Sequence, residues 1–223
     1  MSEVGDLGDQ SVTLDAKEYA QELKKVVSTE RSLDDYLHFL GLNQQDLEGK
    51  VILDLGSGWL QPFATQIKEK GINATVVSLD PKLGAEEYRN PSYLNPDVAN
   101  TAVAALGEKL PFQDGSFDYV LAIESLPRYF MNKSDISIFL EEAMRIVKPG
   151  GEAIIWPLTY SDITFDYSRY PQRYDPILEN LRNEGFNLKT EPVEFQSADK
   201  MRAGTRLSIE KPPKVVELVE KAA

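Results

Sequence analysis

Residues 51–58 read VILDLGSG, and no other stretch restricts the possible folds as much. From Val51 to Leu55 every residue is apolar except Asp54. A short apolar run of this kind is the pattern of a strand buried on both faces, as in a parallel sheet. Gly56, Ser57 and Gly58 follow as a tight turn. Glycine lets the backbone take positive φ and come close to a ligand. Pro62 then suits the first position of a helix. Strand, glycine loop and helix, in that order, place a nucleotide-like cofactor at the carboxyl end of a sheet.

Around this centre the chain alternates strand and helix patterns. Upstream, Leu14 to Val27 carries apolar residues at helical spacing, and a second helix is predicted from Leu33 to Leu40. Ser32 and Asp35 form its capping start, Gly41 its stop, and Leu33, Tyr36, Leu37 and Leu40 its apolar face. Downstream, strands are predicted at 74–79 (ATVVSL), at 101–106 and at 117–123 (FDYVLAI). A helix capped by Ser134 or Asp135 runs into Lys148-Pro149-Gly150-Gly151, and EAIIW at 152–156 is the next strand. Asp175-Pro176 is predicted to open the last helix as cap and first residue, closed by Gly185. Phe186 to Phe195 and Thr205 to Glu210 form a final strand pair.

The expected fold is therefore α/β: a Rossmann-like doubly wound sheet, mostly parallel with one antiparallel edge strand, and helices on both faces. The expected division is an N-terminal helical extension at 1–43, serving as lid or as packing, a main domain at 44–211 and a tail at 212–223.

Composition narrows the function classes. The chain has 223 residues and no cysteine, which excludes disulfides, thiolate metal sites and cysteine nucleophiles. His38 is its one histidine, so no multi-histidine metal centre is possible, and no metal is expected. The net charge of −12 repels phosphate backbones, which weighs against a nucleic-acid substrate. The acidic start lacks the features of a signal peptide, and no apolar run reaches the roughly 20 residues of a membrane span. A cytoplasmic location is expected.

Two cofactor classes use a strand–glycine loop–helix unit: dinucleotides and S-adenosylmethionine. The dinucleotide fingerprint needs a third glycine for close helix packing, and that position is Gln61. Asp54 instead stands two residues before the first glycine, where it can orient the loop and meet an ammonium group. A pyrophosphate would gain nothing from a carboxylate there. Asp80, 26 residues beyond Asp54 at the end of the second strand, can accept hydrogen bonds from both hydroxyls of a ribose, which either cofactor carries.

Four blocks, DLGSG at 54–58, SLDP at 78–81, GEKLPFQDGSFDYVLAIESL at 107–126 and EEAMRIVKPGGEAII at 141–155, occur in this order. Together they resemble the class I S-adenosylmethionine-dependent methyltransferases, in particular the small methyltransferase-domain group that includes quinone-biosynthesis methyltransferases. The resemblance implies that Gly56 and Gly58 line the methionine part of S-adenosyl-L-methionine and that Asp54 anchors that loop. It also implies that Asp80 binds the ribose, that Leu106 and Gly107 lie at the adenine edge, and that Glu124 stands beside the sulfonium. Relatives often carry an acid at the position of Leu106. Adenine recognition then falls to backbone groups and packing, or to Glu108.

Methyl transfer from a sulfonium is an in-line displacement of an activated group, so alignment and water exclusion matter more than a general base. Glu124-Ser125-Leu126-Pro127-Arg128-Tyr129 lacks the Asn/Asp-Pro-Pro-Tyr pattern of amino-group methyltransferases acting on adenine or glutamine. A small-molecule acceptor is expected, with oxygen, nitrogen and activated carbon all open. Ser125, Tyr160 and His38 are candidate acceptor-side residues, and no catalytic base is assigned. Alternatives stay open at several positions. Glu124 either meets the cofactor or pairs with Arg128. The aromatic stretch holding Trp156, Tyr160, Phe165, Tyr167, Tyr170 and Tyr174 either covers the acceptor or packs on its own core. For the chain as a whole, the rivals are a catalytically silent binding module and, less favoured, an NAD(P)-binding reductase.

Overall fold

The computed structural model describes residues 31–85, 96–125, 133–158, 170–197 and 200–213. The predicted helix at 14–27, Tyr160 and Arg128 lie outside them.

A seven-stranded sheet has the order β3-β2-β1-β4-β5-β7-β6. β1 is Val51–Leu55, β2 Thr75–Leu79, β3 Ala102–Val103 and β4 Phe117–Ile123. β5 is Val147–Trp156, β6 Asn187–Ser197 and β7 Lys200–Glu210. β1 pairs in parallel with β2 and β4, β2 with β3, and β4 with β5. β7 is antiparallel to both β5 and β6, so the one reversed strand sits a single position in from the edge. β3 is shorter than predicted. Its alanines offer little to pack on a pleated surface, and pairing stops after Ser78 and Leu79 have met Ala102 and Val103.

Alternation along the strands sends successive residues to opposite faces. Leu53, Val120, Ala122, Ala153 and Ile155 pack on one face, where α3 (Lys133–Ile146) contributes Ile136, Phe139 and Leu140, and α4 (Tyr170–Asn183) contributes Ile177, Leu178 and Leu181. Ile52, Val76, Leu121, Ile154 and Trp156 face α1 (Leu33–Leu40) and α2 (Pro62–Glu69). The sheet is thus covered on both sides, as the apolar run at 51–55 requires.

α1 begins and ends where its signals stand. Ser32 Oγ accepts the Asp35 N–H at 3.1 Å, the Asp35 carboxylate accepts the Ser32 N–H at 2.9 Å, and Gly41 closes the helix at φ 67°. Its deepest residues are Leu33, Tyr36, Phe39 and Leu40, with Leu37 half-buried against them; Phe39 adds to the predicted face, stacked on Trp156 with ring centroids 3.8 Å apart.

Two helix starts differ from expectation. Ser134 and Asp135 lie within α3, which is already helical at Lys133. Pro176 lies inside α4 rather than at its first position. Tyr174 explains the longer α4: it is 1% exposed and joins Ile177, Leu178 and Leu181 on one apolar stripe. Burying it offsets the roughly 3 kcal/mol cost of an interior proline. Trp156 and Tyr174 are therefore core residues, not part of an acceptor-covering loop.

Candidate cofactor site

β1 and β4 are neighbours in the sheet, yet the chain leaves them in different directions, first toward β2 and only later to β4. At such a switch point the loops beyond the carboxyl ends separate and leave a crevice. The loop after β1 turns through Gly56 (φ 82°) and Gly58 (φ 69°). A Cβ at Gly56 would lie 2.6 Å from the Cβ of Ser125, at the end of β4, so only glycine lets the two loops approach this closely. Gln61, also at positive φ, then leads into α2 with Pro62 in its first turn.

Asp54 lies in β1 opposite Ser78 and Leu121. It is 1% exposed, and its Oδ2 has no hydrogen-bond partner among the described residues. Burial pushes its carboxyl up to about 7, the Arg31 guanidinium draws it back, Asp80 adds to the rise and a hydrogen bond with Tyr36 opposes it. Tyr36, buried and stacked on Phe63, also hydrogen-bonds with Arg31.

Asp80 ends β2 and caps the short turn Pro81–Gly84. Its Oδ1 accepts the Lys82 N–H at 2.8 Å and its Oδ2 accepts the Gly58 N–H at 3.0 Å. Burial raises its carboxyl, and these backbone bonds and the Lys82 charge oppose the rise. An ionised carboxylate offers about four acceptor directions, so both oxygens keep capacity toward a ligand.

Glu124 follows β4 at φ 54° and pairs with Arg31, Nη2 to Oε2 at 3.5 Å. Ser125 is buried against Gly56, its Oγ without a hydrogen-bond partner among the described residues. Leu106 and Gly107 lie half-buried in a turn where the Lys109 N–H donates to the Leu106 carbonyl at 3.3 Å. Beside them Glu108 is half-buried, with Oε2 unpartnered among the described residues and its carboxyl raised by burial and, more weakly, by Asp135.

His38 is placed elsewhere. Its Nε2 is 2.7 Å from the Glu194 carbonyl, which ties α1 to the edge strand β6 and leaves His38 away from the glycine loop. Arg31 and Gln66 were not legible as site residues. Their partners are distant in sequence, and neither belongs to a recognisable spacing.

The two downstream sequence blocks are physically joined. The Leu110 N–H donates to Glu142 at 2.9 Å, and Arg145 donates to the Leu110 carbonyl at 3.0 Å and the Phe112 carbonyl at 2.8 Å. Asp118 accepts from the Val51 N–H at 2.9 Å and from Lys148 at 2.7 Å. A cleft of about 210 Å³ between Lys50, Asp118, Lys148 and Glu152 lies at the opposite ends of the strands. Its Lys148 and Asp118 already neutralise each other.

Residues 53–155 match the family described as Methyltransferase domain. The match covers a little under half of the chain. The matched segment runs from β1 to β5 and contains Asp54, the glycine loop, Asp80 and Glu124. The chain is 31% identical over 107 residues to 2-methyl-6-phytyl-1,4-hydroquinone methyltransferase of Synechocystis sp., a match covering 48% of this chain and 31% of that protein. It is 30% identical over 131 residues to Sterol 4-C-methyltransferase strm-1 of Caenorhabditis elegans, covering 58% and 36%. The matches span about a third of each curated relative's length. Among solved structures, N-methyltransferase NodS from Bradyrhizobium japonicum WM9, in complex with S-adenosyl-l-homocysteine, has a TM-score of 0.55 at 11% identity, covering 88% of this chain and 98% of NodS. That likeness is one of fold. Among the described residues no helix is long and apolar enough to cross a membrane, and no cluster of His, Cys, Asp and Glu suits a metal ion.

Proposed function

We propose that this chain transfers a methyl group from S-adenosyl-L-methionine to a small-molecule acceptor. The observation that carries the reading is the joint placement of Asp54, the Gly56–Gly58 loop and Asp80 at the sheet's switch point, inside the segment that matches the methyltransferase domain.

The residues present fit the cofactor. A buried carboxylate oxygen without a partner, Asp54 Oδ2, suits an ammonium group. Gly56 and Gly58 hold the loop at positive φ, and Gly56 lets it close directly onto Ser125. Asp80, bonded to that loop, has acceptor capacity for ribose hydroxyls. Glu108, next to the turn of Leu106 and Gly107, supplies the acceptor for the adenine amino group. A dinucleotide pyrophosphate would instead meet buried negative charge at Asp54, which disfavours the reductase reading.

When bound, S-adenosyl-L-methionine supplies an electrophilic methyl on sulfur. The chain's own part is geometric and electrostatic. Asp54 and Asp80 hold the two ends of the ligand, Glu124 adds negative charge near the sulfonium, and Ser125 packs against the loop on the acceptor side. Holding two reactants in line is worth several kcal/mol of barrier, on the order of 7–11 in the best-oriented cases. The two curated relatives act, by their names, on a hydroquinone and a sterol, so phenols and activated carbon centres head the acceptor panel.

Calorimetric titration with S-adenosylmethionine, S-adenosylhomocysteine and NADH tests the cofactor. Micromolar binding of the sulfur compounds without NADH binding is expected. Transfer of isotope-labelled methyl to phenols, hydroquinones and amines then tests turnover. Tight cofactor binding with no transfer to any acceptor would favour a silent binding module.

A further inference from the structure

The crevice concentrates acids. Asp54 near the carboxyl end of β1, Asp80 just after β2 and Glu124 just after β4 favour an ammonium and a sulfonium. They disfavour the carboxylate that the same ligand carries on its amino-acid end. A cation must therefore stand on the ammonium side of the site.

Arg31 stands there. Its Nη2 is 3.5 Å from Glu124 Oε2, with side chains only 13% and 23% exposed. It also reaches Asp54 through Tyr36, which hydrogen-bonds with both the guanidinium and the carboxylate. The backbone beneath Arg31 is clamped to α2. Gln66 Oε1 accepts the Leu33 N–H at 2.6 Å, and its Nε2 donates to the Arg31 carbonyl at 2.9 Å and to the Pro62 carbonyl at 3.2 Å. Because α2 starts directly after the glycine loop, one side chain couples the loop to the segment that delivers the guanidinium. Among the described residues, Lys82 also stands beside these acids, but it faces Asp80 at the opposite, ribose-binding end.

We infer that Arg31 binds the carboxylate of the cofactor's amino-acid end and that Gln66 is the positioning residue that holds it over the glycine loop. This rests on the cofactor reading above. A guanidinium presents a planar fork of N–H donors that matches a carboxylate, and 3.5 Å to Glu124 is long for a charge-assisted hydrogen bond. The cofactor's ammonium replaces the guanidinium as counter-charge to Asp54 and Glu124, while the guanidinium turns to the carboxylate. The exchange keeps every charge partnered.

The test compares two ligands that differ only at that end: S-adenosylhomocysteine, and 5′-methylthioadenosine, which lacks the amino acid. Each is titrated calorimetrically into wild type, Arg31→Ala, Arg31→Lys and Gln66→Leu, with thermal unfolding of each variant as the fold control. Removing one partner of a buried charge pair typically costs 2–5 kcal/mol, so Arg31→Ala should weaken S-adenosylhomocysteine about 30-fold or more. It should weaken 5′-methylthioadenosine less than about threefold, within the range of an indirect effect. Arg31→Lys should fall between, and Gln66→Leu should show the same selectivity at smaller amplitude. Equal loss for both ligands, or unchanged S-adenosylhomocysteine binding in Arg31→Ala, overturns the assignment while the cofactor reading stands. If wild type binds neither ligand, the cofactor reading itself fails and takes this inference with it.

Discussion

The Gly58 N–H donates to Asp80 Oδ2 at 3.0 Å, so the loop after β1 is bonded to the end of β2 before any ligand arrives. The loop is pre-organised by the same carboxylate that is proposed to bind the ribose. Preorganisation lowers the ordering cost of binding.

Replacing Asp80 should therefore act twice. Asp80→Ala removes the cap of the turn at 81–84 as well as the Gly58 contact. A lost cap costs about 1 kcal/mol, which corresponds to a fall of about 2–4 °C in Tm for a chain of this size. Loss of S-adenosylhomocysteine affinity should be larger, about 30-fold or more, because hydroxyl acceptors are removed together with the loop's anchor. Calorimetry and differential scanning fluorimetry separate the two effects.

Asp54 makes stability depend on pH. Its carboxyl stands at about 7 in the folded protein against an ordinary 3.8, chiefly through burial. The folded state thus holds the proton more tightly than the unfolded chain. Its contribution is fully present below the ordinary carboxylate value and is lost as pH rises through about 7. The ligand-free protein should lose stability relative to Asp54→Asn between about pH 4 and pH 7, as read from urea midpoints of both proteins across that range. Asp54→Asn should also bind S-adenosylmethionine at least about 30-fold more weakly, since its amide cannot neutralise an ammonium.

Arg145 holds the loop of residues 110–114. It donates to the carbonyls of Leu110 and Phe112 and to the carboxylates of Asp114 and Glu142, and Glu142 in turn fixes the Leu110 N–H. The Arg145 hydrogen bond holds the Glu142 carboxyl below its ordinary value. Arg145→Ala should cost about 2–3 kcal/mol, the range for hydrogen bonds to a charged group whose partners lose their donor. Arg145→Lys should recover little of it, because an ammonium lacks the guanidinium's fork. Urea denaturation gives both values.

Lys211 closes α3. Its Nζ donates to the carbonyls of Met144, Arg145 and Val147 at 2.7, 3.3 and 2.9 Å. Lys211→Met keeps the aliphatic stem and removes only the charge and the donors, and should destabilise by about 1 kcal/mol. A midpoint unchanged in urea would show that water replaces Lys211 at no cost.

The central strand and its loop were legible because their signals are local. VILDL can be buried on both faces only as an inner strand, and glycines at 56 and 58 permit the positive φ that the turn adopts. Ser32, Asp35 and Gly41 delimited α1 for the same reason, since capping acts over three or four residues. Local signals failed where a tertiary contact outweighed them. Pro176 reads as a helix start, but burial of Tyr174 draws the helix further back. The partner of His38, the Glu194 carbonyl, lies on another element and has no signal near it in the sequence.

The sequence by itself determined a doubly wound sheet with an acid–glycine loop at its centre, because strand burial, turn geometry and capping depend on neighbouring residues. Only the tertiary structure decided which groups meet at that loop. Arg31 reaches Asp54 and Glu124 because Gln66 clamps its backbone to α2, and Ser125 touches Gly56 because β1 and β4 adjoin in the sheet. Those partners lie far apart along the chain, and electrostatic and packing energies depend on distance in space rather than on separation in sequence.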